Sequence, residues 1–394
     1  MSTHLYLFSI GLACGIGATS ALAAPSVTFS RGGHFGTASP PGFPCGTCAT
    51  PAPATTQPSN QSQPASSPGS SSTPAPASAP GDGVITVGPG GQYQSISAAV
   101  AAADADTDPS HSYVIEVMPG TYTNDFPTVT RPMTIKVSPG QEGQPVVLQA
   151  TENLPNEKGI ILTFASLTVN GLTFTGAQID NSLGGNGAGI RDENTGTASL
   201  IVQNSTFTGN QEGILSDGDL NETITIVNST FKNNGNPDPD YFQHGIYIGR
   251  AGSLNVSNSL FCGQLIGHDI KSRAAVTTVA NNSIYHGQEE STLGCNAGSS
   301  SFAIDLPNGG VATISGNQIV QGAAAQNHNM VAYGEEGLPY GNNSALVSSN
   351  TFTSTAGWNA TAILDPPCVT IELSGNTFQG VTTVVNPPTC AAYQ

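Results

Sequence analysis

The feature that most constrains the fold is a short motif that recurs along the second half of the chain. One form of the motif has an Asn, then two residues, then a large apolar residue. A close variant has only one residue between the Asn and the apolar residue. The apolar anchors are separated by 33, 24, 30, 23, 35, 33 and 26 residues. A repeat whose shortest spacing is about 23 residues and whose other spacings are longer is typical of a solenoid whose loops vary in length. The anchors are Phe174, Phe207, Phe231, Phe261, Ile284, Ile319, Phe352 and Phe378.

The composition indicates that the coils are built from strands. The 394 residues include 47 Gly, and only 9% are Asp, Glu, Lys or Arg, which is poor material for helices and good material for short strands joined by turns. Successive coils would stack about 4.8 Å apart. The anchors would then pile into an internal ladder, with Asn at the turns, where it tolerates left-handed backbone and can bond to the next coil.

A second strand in each coil aligns on another apolar residue. With that residue directed inward, the residue after it faces outward because side chains alternate along a strand. The aligned residues are Ile190, Ile214, Ile246, Ile270, Ile304, Val331 and Ile363. The outward face is predicted to carry Arg191, Glu193, Asp217, Tyr247, Asp269, Lys271, Arg273 and Asp305. Such a face spans about five coils and has the shape of a polymer-binding groove.

The N-terminal part of the chain has a different composition. Residues 1–24 read as a secretory signal peptide, with an apolar run and an Ala-Leu-Ala cleavage pattern; a lipoprotein anchored through Cys14 is the alternative. Residues 25–83 are rich in Pro and Ser and are predicted to be a disordered linker. We therefore expect a single folded domain at 84–394 in a secreted protein, extracellular or periplasmic. No apolar run is long enough for a membrane helix.

Six cysteines follow the signal peptide, an even number that suits an oxidising compartment. The sequence leaves 15 pairings open, and we expect Cys262 with Cys295 and Cys368 with Cys390. Cys45 and Cys48 are expected to form a local disulfide, because no βαβ pattern accompanies them to support a catalytic dithiol.

The charge distribution limits the partners. The formal charge is −17 and the chain holds nine Lys and Arg, which argues against nucleic acid. Two of the nine, Lys271 and Arg273, stand within residues 267–274. We expect a monomer whose partner is a polysaccharide. No cofactor or metal site is predicted, although Asp238 and Asp240 leave calcium open as an alternative.

The start of the folded part resembles a known family. A strand from Val84, an amphipathic helix at Ser95 to Ala103 and a strand that ends in Pro119-Gly120-Thr121-Tyr122 look like the N-terminal cap of secreted right-handed parallel β-helix proteins of the pectate-lyase-like superfamily. The resemblance implies an all-β, right-handed parallel β-helix with a capping helix over its open end.

A second, local resemblance concerns about 40 residues in the centre of the chain. The order of Asp238-Pro239-Asp240, His244-Gly245-Ile246 and Gly267 to Arg273 is similar to bacterial mannuronan epimerases and related uronate-acting β-helix enzymes. The resemblance implies that Arg273 binds a substrate carboxylate and that Asp238 is the first acid. The family's catalytic His is replaced by Asp240. Motifs of pectin methylesterases are not found in the sequence.

Cleavage of a uronate by β-elimination requires a cation for the carboxylate, a base and a proton donor. Lys271 and Arg273 are candidates for the cation and base, and Tyr247 or His268 for the donor, with Asp305 completing the catalytic set. Further candidate substrate-binding residues are His244, Arg250, Asp217, Asp269, Tyr241, Glu335 and Tyr340. His244 and His268 precede aligned Ile residues by two and are expected to be neighbours.

Two other functions stay open at this point. A glycoside hydrolase would use paired carboxylates among Asp217, Asp269 and Asp305. An adhesion or glycan-binding β-helix would bind its glycan without catalytic residues. The sequence favours a secreted polysaccharide lyase over both. The three longest insertions, 233–243, 288–301 and 335–343, are expected to form the walls of its cleft.

Overall fold

Each coil of the chain contributes one strand to each of three parallel sheets. The computed structural model describes residues 83–236, 242–388 and 392–393, and in these ranges the sheets have 12, 10 and 10 strands. Neighbouring strands of a sheet come from successive coils, and their pairing is parallel. We name the sheets A, B and C in the order in which a coil visits them. This is a parallel β-helix, so the predicted fold class is confirmed; right-handed is the hand that such crossovers take.

The strands are short, mostly three to five residues. Sheet A contains Gly83–Val87, Tyr113–Val117, Met133–Val137, Leu167–Asn170, Ser199–Gln203, Thr223–Val227, Ser253–Ser257, Val276–Ala280, Val311–Ser315, Ser344–Ser348, Ile371–Ser374 and Ala392–Tyr393. Sheet B contains Gly120–Thr123, Val146–Gln149, Thr173–Thr175, Thr206–Thr208, Thr230–Lys232, Leu260–Cys262, Ser283–His286, Gln318–Gln321, Thr351–Ser354 and Thr377–Gln379. Sheet C contains Thr128–Val129, Gly159–Thr163, Ala188–Asp192, Glu212–Ser216, Ile246–Ile248, His268–Ser272, Phe302–Leu306, Asn329–Tyr333, Ala360–Leu364 and Val381–Asn386. Two 3₁₀ turns occur at Asn181–Leu183 and Ser291–Leu293.

The aromatic anchors form the predicted ladder inside sheet B. Phe174, Phe207, Phe231 and Phe261 are paired in register, and their rings stack with centroids 4.8, 4.7 and 4.8 Å apart. All four rings are buried. Each ring therefore covers the faces of its neighbours, which links the register of one coil to that of the next.

The repeated asparagines serve two different purposes. Asn204, Asn228, Asn258 and Asn281 have positive φ values and make the turn between sheets A and B. Asn282, Asn317, Asn350 and Asn376 lie one position later and form a buried side-chain ladder, in which each backbone N–H donates to the next residue's Oδ1 at 2.9 Å. Both behaviours expected of the asparagines are thus confirmed, in separate rows of the solenoid.

A helix at Ile96–Asp104 covers the first coil, as the resemblance implied. Ser95 caps its N-terminus by accepting a hydrogen bond from the Ala98 N–H. Ile96 and Val100 on its inner face are buried in the core. The apolar end of the solenoid is thereby shielded from solvent.

Of the three expected disulfides, the one between Cys262 and Cys295 is present among the described residues. It ties the 288–301 insertion to a strand of sheet B. Cys390, the pair Cys45 and Cys48, and the segments predicted as signal peptide and linker lie outside the described residues, apart from Gly83, which opens the first strand. No helix among the described residues is both long and apolar enough to cross a membrane.

Truncation of one ring in the aromatic ladder should test its role. We expect Phe231→Ala to lower the free energy of unfolding by about 3–5 kcal/mol, because it removes a buried ring and leaves a cavity between two others. Phe164→Ala removes a ring that is 51% exposed and should cost far less. Denaturant titration of both variants measures the difference; equal losses would contradict the account.

Candidate functional site

The outer side of sheet C brings three of the predicted catalytic residues together. Tyr247, Lys271 and Asp305 occupy one row on three successive coils, paired in register. The inward row Ile246, Ile270 and Ile304 is paired in the same way and fully buried, which fixes the opposite orientation of the outer row. The alignment made from the sequence is confirmed for these rows.

Asp305 is the centre of a buried ion cluster. Its Oδ2 lies 3.0 Å from Lys271 Nζ and 3.2 Å from His268 Nε2. Asp305 is 0% exposed and Lys271 8% exposed. The Asp305 side chain therefore holds a cation and an imidazole, rather than capping the turn that follows it.

Arg273 lies beside this cluster and binds three partners. Its Nε donates to the Tyr247 hydroxyl at 2.9 Å, and its Nη1 donates to Asn308 Oδ1 at 2.9 Å. Its Nη2 is 2.7 Å from Glu336 Oε2. Burial alone would lower the pKa of Arg273, but the hydrogen bonds that it donates to Glu336 and Tyr247, and the charges of these two groups, outweigh burial and raise the pKa.

Residues 334–343 form a loop that covers both cations. Glu336 reaches Lys271 Nζ at 3.7 Å as well as Arg273, and Tyr340 donates its hydroxyl to the Arg273 carbonyl oxygen. The Arg250 guanidinium lies 5.5 Å from the centre of the Tyr340 ring. The expectation that Lys271 and Arg273 face open solvent is therefore wrong, because this loop folds over them.

Glu335 on the same loop is held in its neutral form. Burial, and then the shared hydrogen bond and negative charge of Asp305, raise the pKa of Glu335 to about 9. A protonated carboxyl can donate to Asp305, whereas two carboxylates there would repel each other. The site thus contains a buried acid with a raised pKa next to Asp305.

A ladder of side chains borders the ion cluster on sheet C. Its members, His244, His268 and Phe302, each stand three residues before a member of the row of Tyr247, Lys271 and Asp305. The rings of His244 and His268 stack 4.9 Å apart, as their equivalent positions predicted. His244 Nδ1 accepts the His268 N–H, and His268 Nδ1 accepts the Phe302 N–H. Burial lowers the pKa of both rings well below the usual value. His268 is therefore neutral, with its proton on Nε2 directed at Asp305.

Asp269 does not belong to the outer face, contrary to the prediction. It is 1% exposed and lies 3.5 Å from His286 Nδ1, which also contacts Ser300 Oγ at 2.8 Å in the interior. The equivalent positions on earlier coils, Gly189 and Gly213, also face the core, where an added Cβ would meet Phe207 and Phe231, so this position points inward together with the Ile that follows it. Asp269 cannot reach a substrate on sheet C.

Asp217 lies in a separate ion cluster. Arg191 Nη2 contacts Asp217 Oδ1 at 2.8 Å, and Glu193 Oε1 lies 2.7 Å from Arg191 Nε and 2.9 Å from Lys158 Nζ. Arg191 is three coils from Lys271, roughly 14 Å at the usual spacing. The hydrolase pairing of Asp217, Asp269 and Asp305 is therefore not formed. Tyr241, Asp238 and Asp240 lie outside the described residues.

Three residues of this region were not predicted. Glu336 and Asn308 bind Arg273 directly, and Glu212 accepts the His244 N–H at 2.7 Å. Burial raises the pKa of Glu212 well above the usual value. Glu212 could have been found, since it stands two residues before Ile214, as His244 and His268 stand before their Ile. No pattern in the sequence indicated Glu336, because residues in loops do not align from one coil to the next.

The site can bind an anion, orient a hydroxyl and donate a proton. Lys271, Arg273 and Arg250 are clustered cations, the Tyr247 hydroxyl is held by Arg273, and Glu335 is a neutral acid. In the described ranges no group of three or more His, Cys, Asp and Glu side chains is arranged to hold a metal ion.

Comparison with known proteins finds similarity only among solved structures. No family model matches the sequence, and no curated protein matches it. A pectin methylesterase from Aspergillus niger is similar at 12% identity and a TM-score of 0.41, over 77% of this chain and 86% of that one. The A-module of a mannuronan C-5 epimerase from Azotobacter vinelandii is similar at 14% identity and a TM-score of 0.38, over 74% of this chain and 92% of that one. These values give no residue correspondence.

The neutral state of Glu335 should be visible in the pH dependence of stability. An acid with a raised pKa holds a proton that the unfolded chain has released, so stability falls as pH rises from the ordinary pKa of a Glu, 4.5, towards the raised pKa of about 9. Glu335→Gln keeps a donor and removes the titration. We expect the melting temperature of Glu335→Gln, relative to wild type, to increase between pH 5 and pH 8.

The exposed Glu152→Gln variant is the control and should track the wild type across this range. A constant difference between Glu335→Gln and wild type at all pH values would contradict the assignment.

Proposed function

We propose that the protein is a polysaccharide-active enzyme, a lyase that cleaves a uronate-containing polymer by β-elimination on sheet C. The observation that carries the proposal is the carboxylate of Glu336, which bridges Lys271 and Arg273 at 3.7 and 2.7 Å. Glu336 is on the covering loop and its side chain is 47% exposed. A uronate carboxylate has the same charge and geometry and can take its place when the loop moves.

Neutralisation of the carboxylate is the first requirement of the reaction. The proton next to a carboxylate becomes acidic only when the negative charge that builds up on the carboxylate is stabilised. Arg273 offers a planar fork for this charge and Lys271 a point charge. Removal of that proton then expels the glycosidic oxygen at the neighbouring carbon, leaves a double bond in the ring, and requires a proton for the leaving oxygen.

Tyr247 is the residue best placed to transfer a proton. Its hydroxyl accepts from Arg273 Nε, so its own hydrogen is available in the groove beside the bound carboxylate. Lys271, a candidate base in the sequence, is instead ion-paired with Asp305 and Glu336. We therefore assign Lys271 to binding and Tyr247 to proton transfer. The Tyr247 hydroxyl gives its hydrogen to the leaving glycosidic oxygen and takes up the proton from the carbon next to the carboxylate, so that it ends the reaction with the proton count it began with.

Asp305 and His268 are positioning residues in this mechanism. Asp305 fixes the Lys271 ammonium, and Nε2 of the neutral His268 lies 3.2 Å from the same carboxylate. Because Asp305 is fully buried, it acts on the substrate only through Lys271.

Glycoside hydrolysis is the second candidate, favoured by Glu335 and Asp305. A carboxyl with a pKa raised to about 9 beside a second carboxyl is the pattern of an acid and its partner. Asp305 is fully buried and paired with Lys271, however, so it cannot contact a glycosidic bond, whereas hydrolases use two carboxyls that both reach the scissile bond. The burial of Asp305 makes elimination the better proposal.

Export is part of the proposal. The Cys262 to Cys295 disulfide suits an oxidising compartment, and an extracellular or periplasmic enzyme would meet its polymer there.

Loss of Arg273 should abolish turnover without unfolding the protein. On a polyuronate substrate we expect wild type to release products that absorb in the ultraviolet, and Arg273→Ala to lower kcat/KM by about 100-fold or more. Lys136→Ala removes a salt-bridged cation from sheet A and is the matched control. Full activity of Arg273→Ala, at an unchanged melting temperature, would refute the site.

Removal of the internal carboxylate should strengthen substrate binding. We expect Glu336→Gln to lower KM by about 2- to 5-fold, because an exposed ion pair contributes only ~0.2–1 kcal/mol. Glu289→Gln, an exposed carboxylate on another insertion, should leave KM unchanged. A raised KM in Glu336→Gln would mean that Glu336 helps to bind substrate rather than occupying its place.

A further inference from the structure

A second group of acidic residues lies inside the solenoid, at the corner between sheets C and A. Asp192 ends its strand of sheet C and points inward, two residues after the buried Ile190. Ser216 holds the same position on the next coil, in register with Asp192. Glu222 lies at the start of the strand of sheet A in that coil. Asp192 and Glu222 are both 0% exposed.

Asn194 connects the two carboxylates. Its backbone N–H donates to Asp192 Oδ1 at 3.1 Å, and its side-chain Nδ2 donates to Glu222 Oε1 at 3.1 Å. One oxygen of each carboxylate is therefore satisfied. The other two, Asp192 Oδ2 and Glu222 Oε2, have no hydrogen-bond donor, and the buried Asn194 Oδ1 has none either.

A buried oxygen without a hydrogen-bond donor lowers the stability of the folded state, and a buried unpaired negative charge lowers it more. Neither carboxylate forms an ion pair with Lys, Arg or His within the ranges that the structure describes. A proton shared by the two acids would still leave one negative charge and the Asn194 oxygen unmatched, and a water molecule would leave the charge unchanged.

We propose that Asp192, Asn194, Ser216 and Glu222 bind one Ca²⁺ ion in the interior of the solenoid, as a structural site separate from the groove on sheet C. Two carboxylates balance the charge of a divalent cation. The amide and hydroxyl oxygens are the neutral hard ligands that Ca²⁺ accepts, while Mg²⁺ gives up its water reluctantly and suits a dehydrated corner less well.

The ligands come from two successive coils, so the ion would join them. Asp192 and Asn194 belong to one coil, and Ser216 and Glu222 to the next. Because the site is closed, the ion would enter during folding, and its binding would add to the stability of the folded state.

Metal content and refolding test the proposal on the full chain. Purified protein, passed over a chelating resin, should retain about one Ca²⁺ per chain, as in other closed structural metal sites. Protein unfolded in denaturant and refolded with a chelator should melt at a lower temperature than protein refolded with CaCl₂ alone. The double variant Asp192→Asn, Glu222→Gln should lose both the bound calcium and this difference.

Asp180→Asn, a substitution of an exposed acid in the loop before the Ala188–Asp192 strand, is the control and should keep both. Wild-type protein that holds no calcium and melts identically after both refolding treatments would overturn the proposal. In that case the two carboxyls share a proton. The wild-type comparison stands even if the double variant fails to fold, and neither result depends on the lyase activity.

Discussion

The hydrogen-bonded register between successive coils is the constraint on which the rest of the structure depends. Each coil is positioned by its backbone pairing to the next, and the Phe and Asn ladders allow only one register because a slip would unstack rings and unpair buried amides. Tyr247, Lys271 and Asp305 are far apart in sequence and become neighbours through this register. The site is thus a product of stacking three coils.

Burial decides which of the charged groups on the face are active in the site. The covering loop removes Lys271 and Asp305 from water. The strength of their ion pair and the pKa of Glu335 therefore depend on these neighbouring groups more than on solvent. The Arg191 cluster, three coils away, has similar residue types but includes Asp217 and Lys158, whose side chains are 60% and 41% exposed. Similar charges in more water contribute less, which is why we place the chemistry at Lys271 and Arg273.

The sequence was sufficient for the solenoid and for the row that carries the site. Ladder anchors such as Phe231 and inward residues such as Ile270 recur because every coil has the same environment to fill, and the stacking of His244 on His268 follows from the same alignment. Asp269 was misplaced because strict alternation fails at this position of each coil, where Gly189 and Gly213 also face the core. Glu336 was missed because a loop position is fixed by tertiary contacts, which have no period in the sequence.

The central claim is elimination at the carboxylate bound by Lys271 and Arg273. Digestion of a panel of polyuronates, followed by mass spectrometry of the fragments, tests it most directly, because hydrolysis adds one water at each cut and elimination adds none. Elimination predicts that each cut leaves one unsaturated end and that the fragments together gain no mass. Fragments that together gain one water per cut would contradict elimination and favour hydrolysis.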